Sequence, residues 1–125
     1  MKKRCCVTNN PLWRDRYEDV RFIDGTSQDI FEAARDLIHK GWKFLGHPLY
    51  GNFKPSKQPY RTLALEAAQE NSGAVDLDSF AMLELALDDR APPLKPEDVP
   101  EAMRHDFAML DVELMKDTLG RYFRK

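Results

Sequence analysis

The chain has 125 residues, 42% of them apolar and 32% charged, which suits one globular domain burying roughly two-thirds of its unfolded surface. Nineteen Lys and Arg against 21 Asp and Glu leave a net charge of −2, which argues against a generic nucleic-acid binder and against steering toward anionic membranes. The total hides an asymmetry: residues 1–63 carry 12 basic and 7 acidic side chains, a balance of +5, whereas residues 64–125 carry 7 and 14, a balance of −7.

Met1-Lys2-Lys3-Arg4 resembles the charged start of an export signal, but Thr8-Asn9-Asn10-Pro11 interrupts any apolar core almost at once, so a cytoplasmic location is expected. Residues 3–8 read as a strand. Its two adjacent cysteines, Cys5 and Cys6, point to opposite faces there and are poorly placed to bond with each other. Asn10 is placed to cap a short helix reaching to about Tyr17, with Pro11 at the first position, where a missing N–H costs nothing. Residues 20–23 form a second expected strand, and Thr26 or Ser27 caps an amphipathic helix whose buried face carries Ile30, Ala34, Leu37 and Ile38. Gly41 stands where a left-handed residue commonly ends a helix.

A third strand is expected at residues 43–46, followed by a long loop over 47–60 with three prolines, and long loops in compact domains are often functional. The alternation of Leu63 and Leu65 with Thr62, Ala64 and Glu66 predicts a fourth strand over 61–68, ended by Asn71-Ser72-Gly73. Asp76 or Asp78 then caps a helix with Phe80, Leu83 and Leu87 buried and Met82 and Leu85 broadening that stripe. Phe80-Ala81-Met82-Leu83 is the longest uninterrupted apolar run, far short of the roughly 20 residues of a membrane helix. Residues 91–100 hold four of the eight prolines and act as an extended spacer before a closing helix at about 101–119, with Met103, Phe107, Leu110 and Leu114 on its buried face.

Rough alternation of strands and helices predicts an α/β layered domain over residues 1–125, with a small, mostly parallel sheet of about four strands covered by helices. If the first three strands run the same way, their carboxyl ends share one rim, the usual ligand position of open α/β sheets. Asn9, Asn10, Asp24, Thr26 and His47 would gather there.

Residues 37–65 contain no acidic side chain, yet hold Lys40, Lys43, Lys54, Lys57, Arg61, His39, His47 and three of the six glycines. Backbone N–H groups, a hydroxyl and lysines are ingredients of an anion site, which selects Asn9, His47, Asn52, Lys54, Ser56 and Arg61 as ligand-binding candidates. The plain alternative is a solvated basic loop docking on the acidic second half. His47 precedes Pro48, is biased to an extended strand end, and is the candidate for a catalytic acid or base; a structural hydrogen bond would explain it equally well. No metal-ligand spacing, phosphate-binding loop, dinucleotide fingerprint or nucleophile elbow is present, so no metal site is expected and no cofactor can be named.

Thr8-Asn9-Asn10-Pro11, His39-Lys40-Gly41, His47-Pro48-Leu49-Tyr50-Gly51, Lys54-Pro55 and Pro59-Tyr60 together resemble the GrdX family, small proteins associated with glycine, sarcosine and betaine reductase operons of amino-acid-fermenting anaerobes. The resemblance runs from about Thr8 through the closing helix; it implies a reductase-system context and brings no catalytic residue or cofactor with it. Three functions follow as expectations. One is a non-enzymatic accessory protein binding a small anionic metabolite or phosphorylated ligand at the strand-end loops. Another is a small enzyme with His47 as acid or base and Lys54 or Arg61 stabilising developing negative charge. The last is an interaction module docking on a reductase subunit or on another copy of itself.

Overall fold

The computed structural model describes residues 3–48, 50, 57–67, 74–88 and 91–125. Four strands form one sheet: β1 (Arg4–Thr8), β2 (Val20–Phe22), β3 (Lys43–Phe44) and β4 (Thr62–Glu66), in the order β2-β1-β4-β3. β1 pairs with β2 in parallel and with β4 antiparallel, and β4 pairs antiparallel with β3. The sheet is therefore mixed, and the mostly parallel sheet expected from sequence is corrected. The physical reason is the position of β4, which inserts between β1 and β3 running the other way. β1, β2 and β3 still share one direction, so their carboxyl ends do lie on one rim, joined there by the start of β4.

The two central strands are buried on both faces. Cys5, Val7, Leu63 and Leu65 pack under α1 (Ser27–His39) and α2 (Leu77–Leu87), together with Ile30, Phe31, Ala34, Leu37, Ile38 and Leu83. Cys6 and Ala64, pointing the opposite way, pack with Trp13 and with Val112, Met115 and Leu119 of α3 (Glu101–Tyr122). The period-two alternation of a strand thus sends neighbouring cysteines into different cores, and both remain free thiols.

Local signals set the boundaries of α1. Thr26 Oγ1 accepts from the Asp29 amide while the Asp29 carboxylate accepts from the Thr26 amide, a reciprocal capping box. Gly41 follows the helix at φ 98°, a conformation other L-residues adopt only with strain. Asp76, as expected, caps α2, accepting from the Ser79 amide at 3.0 Å.

Other expectations shift. The helix expected to reach Tyr17 is a single 3₁₀ turn, Pro11–Trp13, with Asn10 as its cap. The fourth strand is shorter than expected, and Asn71-Ser72-Gly73 lies outside the described residues. In α2, Leu83 is fully buried but Phe80 is 37% and Leu85 65% exposed, because the side facing α1 is the one carrying Ser79, Leu83 and Ala86. In α3 the buried stripe is Ala108, Asp111, Val112, Met115 and Leu119; the expected stripe flanks it, with Met103 52% exposed. α3 also continues past Gly120 to Tyr122. No helix among the described residues is long and apolar enough to cross a membrane.

Candidate functional site

At the carboxyl rim the chain folds back on itself through buried polar groups. Asn9, immediately after β1, is buried and ties three loops together: its Nδ2 donates to the carbonyls of Gly25 (2.9 Å) and Pro59 (2.8 Å), and its Oδ1 accepts from the Arg61 amide at 2.8 Å. Asn10 caps its 3₁₀ turn by accepting from the Leu12 amide at 3.0 Å. Its Nδ2 donates across to α3, to the Ala108 carbonyl at 3.0 Å and the Asp111 carboxylate at 2.9 Å. One side chain thus starts a turn and fixes a helix.

Asp111 is the centre of this rim. It has no solvent exposure, and its Oδ2 accepts from Asn10, from Trp13 Nε1 (3.3 Å) and from Thr62 Oγ1 (2.6 Å). Its Oδ1 accepts a short hydrogen bond from the Tyr50 hydroxyl, which in turn accepts from the Thr62 amide at 2.7 Å. Thr62 Oγ1 also meets Thr8 Oγ1 at 2.8 Å, and the Asn10 amide donates to Thr8 Oγ1 at 3.0 Å. Burial, with the Asp111 charge beside it, pushes the Tyr50 hydroxyl well above its ordinary pKa, the nearby Arg61 opposing the shift. A carboxylate removed from water needs such a donor set, since burial of an unsatisfied charge is strongly unfavourable.

Arg61, which leads into β4, is fully buried. Its guanidinium lies 4.8 Å from the Tyr50 ring centroid and 5.6 Å from that of Phe31, both within cation–π range, and it donates to the Pro48 carbonyl at 3.3 Å. Gln58 is 1% exposed; its Oε1 accepts from the Tyr60 amide at 3.5 Å, while its Nε2 has no hydrogen-bond partner among the described residues.

The structure therefore brings Asn9 and Arg61 into direct contact, and holds the loop carrying exposed His47 beside them through Pro48. Asn52, Lys54 and Ser56 lie outside the described residues. Sequence reasoning missed Asp111, Tyr50, Thr62 and Gln58. Asp111 did carry a signal, because it is the one acid in the run Ala108, Val112, Met115 and Leu119 at helical spacing. Among the described residues, the acid-free segment reaches the acidic half at the buried Asp111 carboxylate through the Tyr50 hydroxyl.

Residues 5–120 match the family described as GrdX-like protein. The chain belongs to the GrdX-like family. Searches of curated proteins and of solved structures found no match. Several of the residues that carry the GrdX resemblance fall on the rim itself, whereas His39-Lys40-Gly41 ends α1 and Lys54-Pro55 lies outside the described residues. Thr8, Asn9 and Asn10 from the first motif, Pro48 and Tyr50 from the third, and Pro59 from the last all hydrogen-bond there. In this GrdX-like chain these rim residues thus share a physical task, fastening Pro48, Tyr50 and residues 59–61 to the strand ends and, through Asp111, to α3.

Proposed function

We propose that the chain is a non-catalytic accessory protein of a glycine-reductase-type system that binds a small anionic metabolite or phosphorylated ligand at the strand-end loops. GrdX-like membership supports the reductase context. The observation that carries the ligand reading is the rim's electrostatic composition: a fully buried Arg61 cation and a buried Gln58 whose Nε2 has no hydrogen-bond partner among the described residues belong to a stretch of sequence without acids. Buried donors and positive charge together favour an anion, and Lys54, Ser56, Asn52 and His47 are the side chains of the same segment that would reach it. Asn9 enters this reading as the residue that positions the segment, since its amide is already spent on three backbone groups.

Thermal-shift and calorimetric screens of inorganic phosphate, nucleotides, acetyl phosphate, glycine and betaine test the proposal. A positive shift that weakens in Lys54→Ala and His47→Ala is expected, and no binding across the panel overturns it.

A second reading, docking on a reductase-system protein, is favoured by the exposed apolar side chains of α2, where Leu77 is 77% and Leu85 65% exposed. Pull-down with purified reductase components, compared between the unaltered chain and Leu77→Asp/Leu85→Asp, checks it.

A further inference from the structure

The opposite rim of the sheet, where β1 and β2 begin, holds a cavity of about 490 Å³ lined by Lys3, Arg4, Glu18, Asp19, Arg21, Trp42, Tyr122, Phe123 and Arg124. That volume falls within the roughly 300–1,000 Å³ of small-molecule sites. Four parts of the chain build it, one of them Trp42 just before β3. Lys3 and Arg4 open β1; Glu18 and Asp19 precede β2 and Arg21 lies within it; the end of α3 supplies the last aromatic and basic groups.

Part of the wall is fixed. Arg4 is anchored by Glu66 at 3.0 Å, by the Tyr122 carbonyl at 3.1 Å and by stacking 5.1 Å from the Tyr122 ring centroid. The Glu18 amide donates to the Arg124 carbonyl at 2.7 Å, closing the α3 end onto the turn before β2. The Cys6 amide donates to the Asp19 carbonyl at 3.0 Å, which holds Asp19 at φ 64°, a left-handed conformation costly for a residue other than glycine, asparagine or aspartate.

Its remaining charges are uncommitted. Among the described residues, the side chains of Lys3, Arg21 and Arg124 and those of Glu18 and Asp19 enter no hydrogen bond or ion pair, although all five line one concavity. Three cations and two carboxylates that do not pair with one another suit a ligand that itself carries both signs. A simple anion would meet two carboxylates, and a simple cation three basic groups. Trp42, Tyr122 and Phe123 add an apolar wall beside them.

We propose that this cavity binds a small aminocarboxylate with an apolar side chain, its carboxylate among Lys3, Arg21 and Arg124, its ammonium toward Glu18 and Asp19, and its side chain against the aromatic wall. The site is separate from the strand-end loops, so its failure and that of the anion reading are independent outcomes.

Phenylalanine is the probe, with 3-phenylpropionate and phenethylamine as analogues lacking the ammonium and the carboxylate. Calorimetry gives affinity, and the fluorescence of Trp42 reports occupancy at the site. Phenylalanine is expected to bind at least about tenfold more tightly than either analogue, the scale of one lost charge-assisted contact. Arg21→Gln and Asp19→Asn should each weaken it about tenfold; both positions are exposed, and asparagine tolerates the left-handed backbone at 19. Trp42→Phe should abolish the fluorescence change while leaving the calorimetric signal. Equal binding of all three compounds, binding unaffected by both charge variants, or no heat at millimolar phenylalanine overturns the proposal.

Discussion

Asp111 shows how much structure one side chain can organise. Replacing it by alanine leaves donors from Asn10, Trp13, Thr62 and Tyr50 facing a void, and each unsatisfied buried donor costs about 1–3 kcal/mol. Asp111→Ala is therefore expected to lose about 3–5 kcal/mol in urea unfolding, in line with stranding one side of a buried charged network. Tyr50→Phe keeps the ring over Arg61 but removes the hydroxyl that serves Asp111 and the Thr62 amide, for an expected loss of about 1–3 kcal/mol. The same reasoning revises Asn9. If its amide were held ready for a ligand, Asn9→Ala would leave stability of the ligand-free protein nearly unchanged; because it clamps Gly25, Pro59 and Arg61, a loss of about 2–3 kcal/mol is expected from the same measurement. Residue type and position near a strand end made Asn9 visible in the sequence. Its partners, up to 52 positions away, were not, since no local pattern encodes which carbonyls a buried amide will reach.

Elements were legible wherever the signal is local. The Thr26 cap, the Asn10-Pro11 turn start, the Gly41 stop and the Asp76 cap all appear where chain-neighbour chemistry dictates, because each is settled within four residues. Helix faces were not so legible. α3 carries apolar residues around much of its circumference, so two stripes compete, and the wrong one is chosen when an acid is assumed to face solvent. Asp111 reverses that assumption: satisfied by four donors, it drags its own stripe inward and rotates Met103 out. The two stripes make different predictions. Leu119→Ala, at a fully buried position, should cost about 2–5 kcal/mol, whereas Met103→Ala, at an exposed one, should stay within about 0.5 kcal/mol. Strand direction was equally out of reach, because a five-residue strand buried on both faces reads the same whether its neighbour runs with it or against it.

At the scale of the molecule, three acidic groups that keep their protons lie in three different places. Cys5 sits in the core under α1 and α2, Cys6 in the core under α3, and Tyr50 at the carboxyl rim between Asp111 and Arg61. Desolvation raises both thiols above their ordinary value of 9.0, and desolvation with the Asp111 charge raises Tyr50 above 10.0. In the unfolded chain all three ionise near their ordinary values, so above those values the unfolded state binds fewer protons than the folded one. Stability then falls as pH rises, by the linkage between proton uptake and unfolding. The contribution of these groups is fully present below about pH 9 and is lost as pH climbs from there toward their raised folded values. Urea midpoints measured from pH 8 to 11 should accordingly decline above about pH 9, with both layers loosening together because the thiols lie on opposite faces of the same strand. Tyr50→Phe separates the contributions: less stable than the unaltered chain at pH 8, it should show a shallower decline above pH 10, since it lacks the phenol that the unfolded state ionises. A flat profile to pH 11, or an unchanged slope in Tyr50→Phe, would show that the hydroxyl between Asp111 and Thr62 is open to water and is not the fastening that holds the acid-free segment to α3.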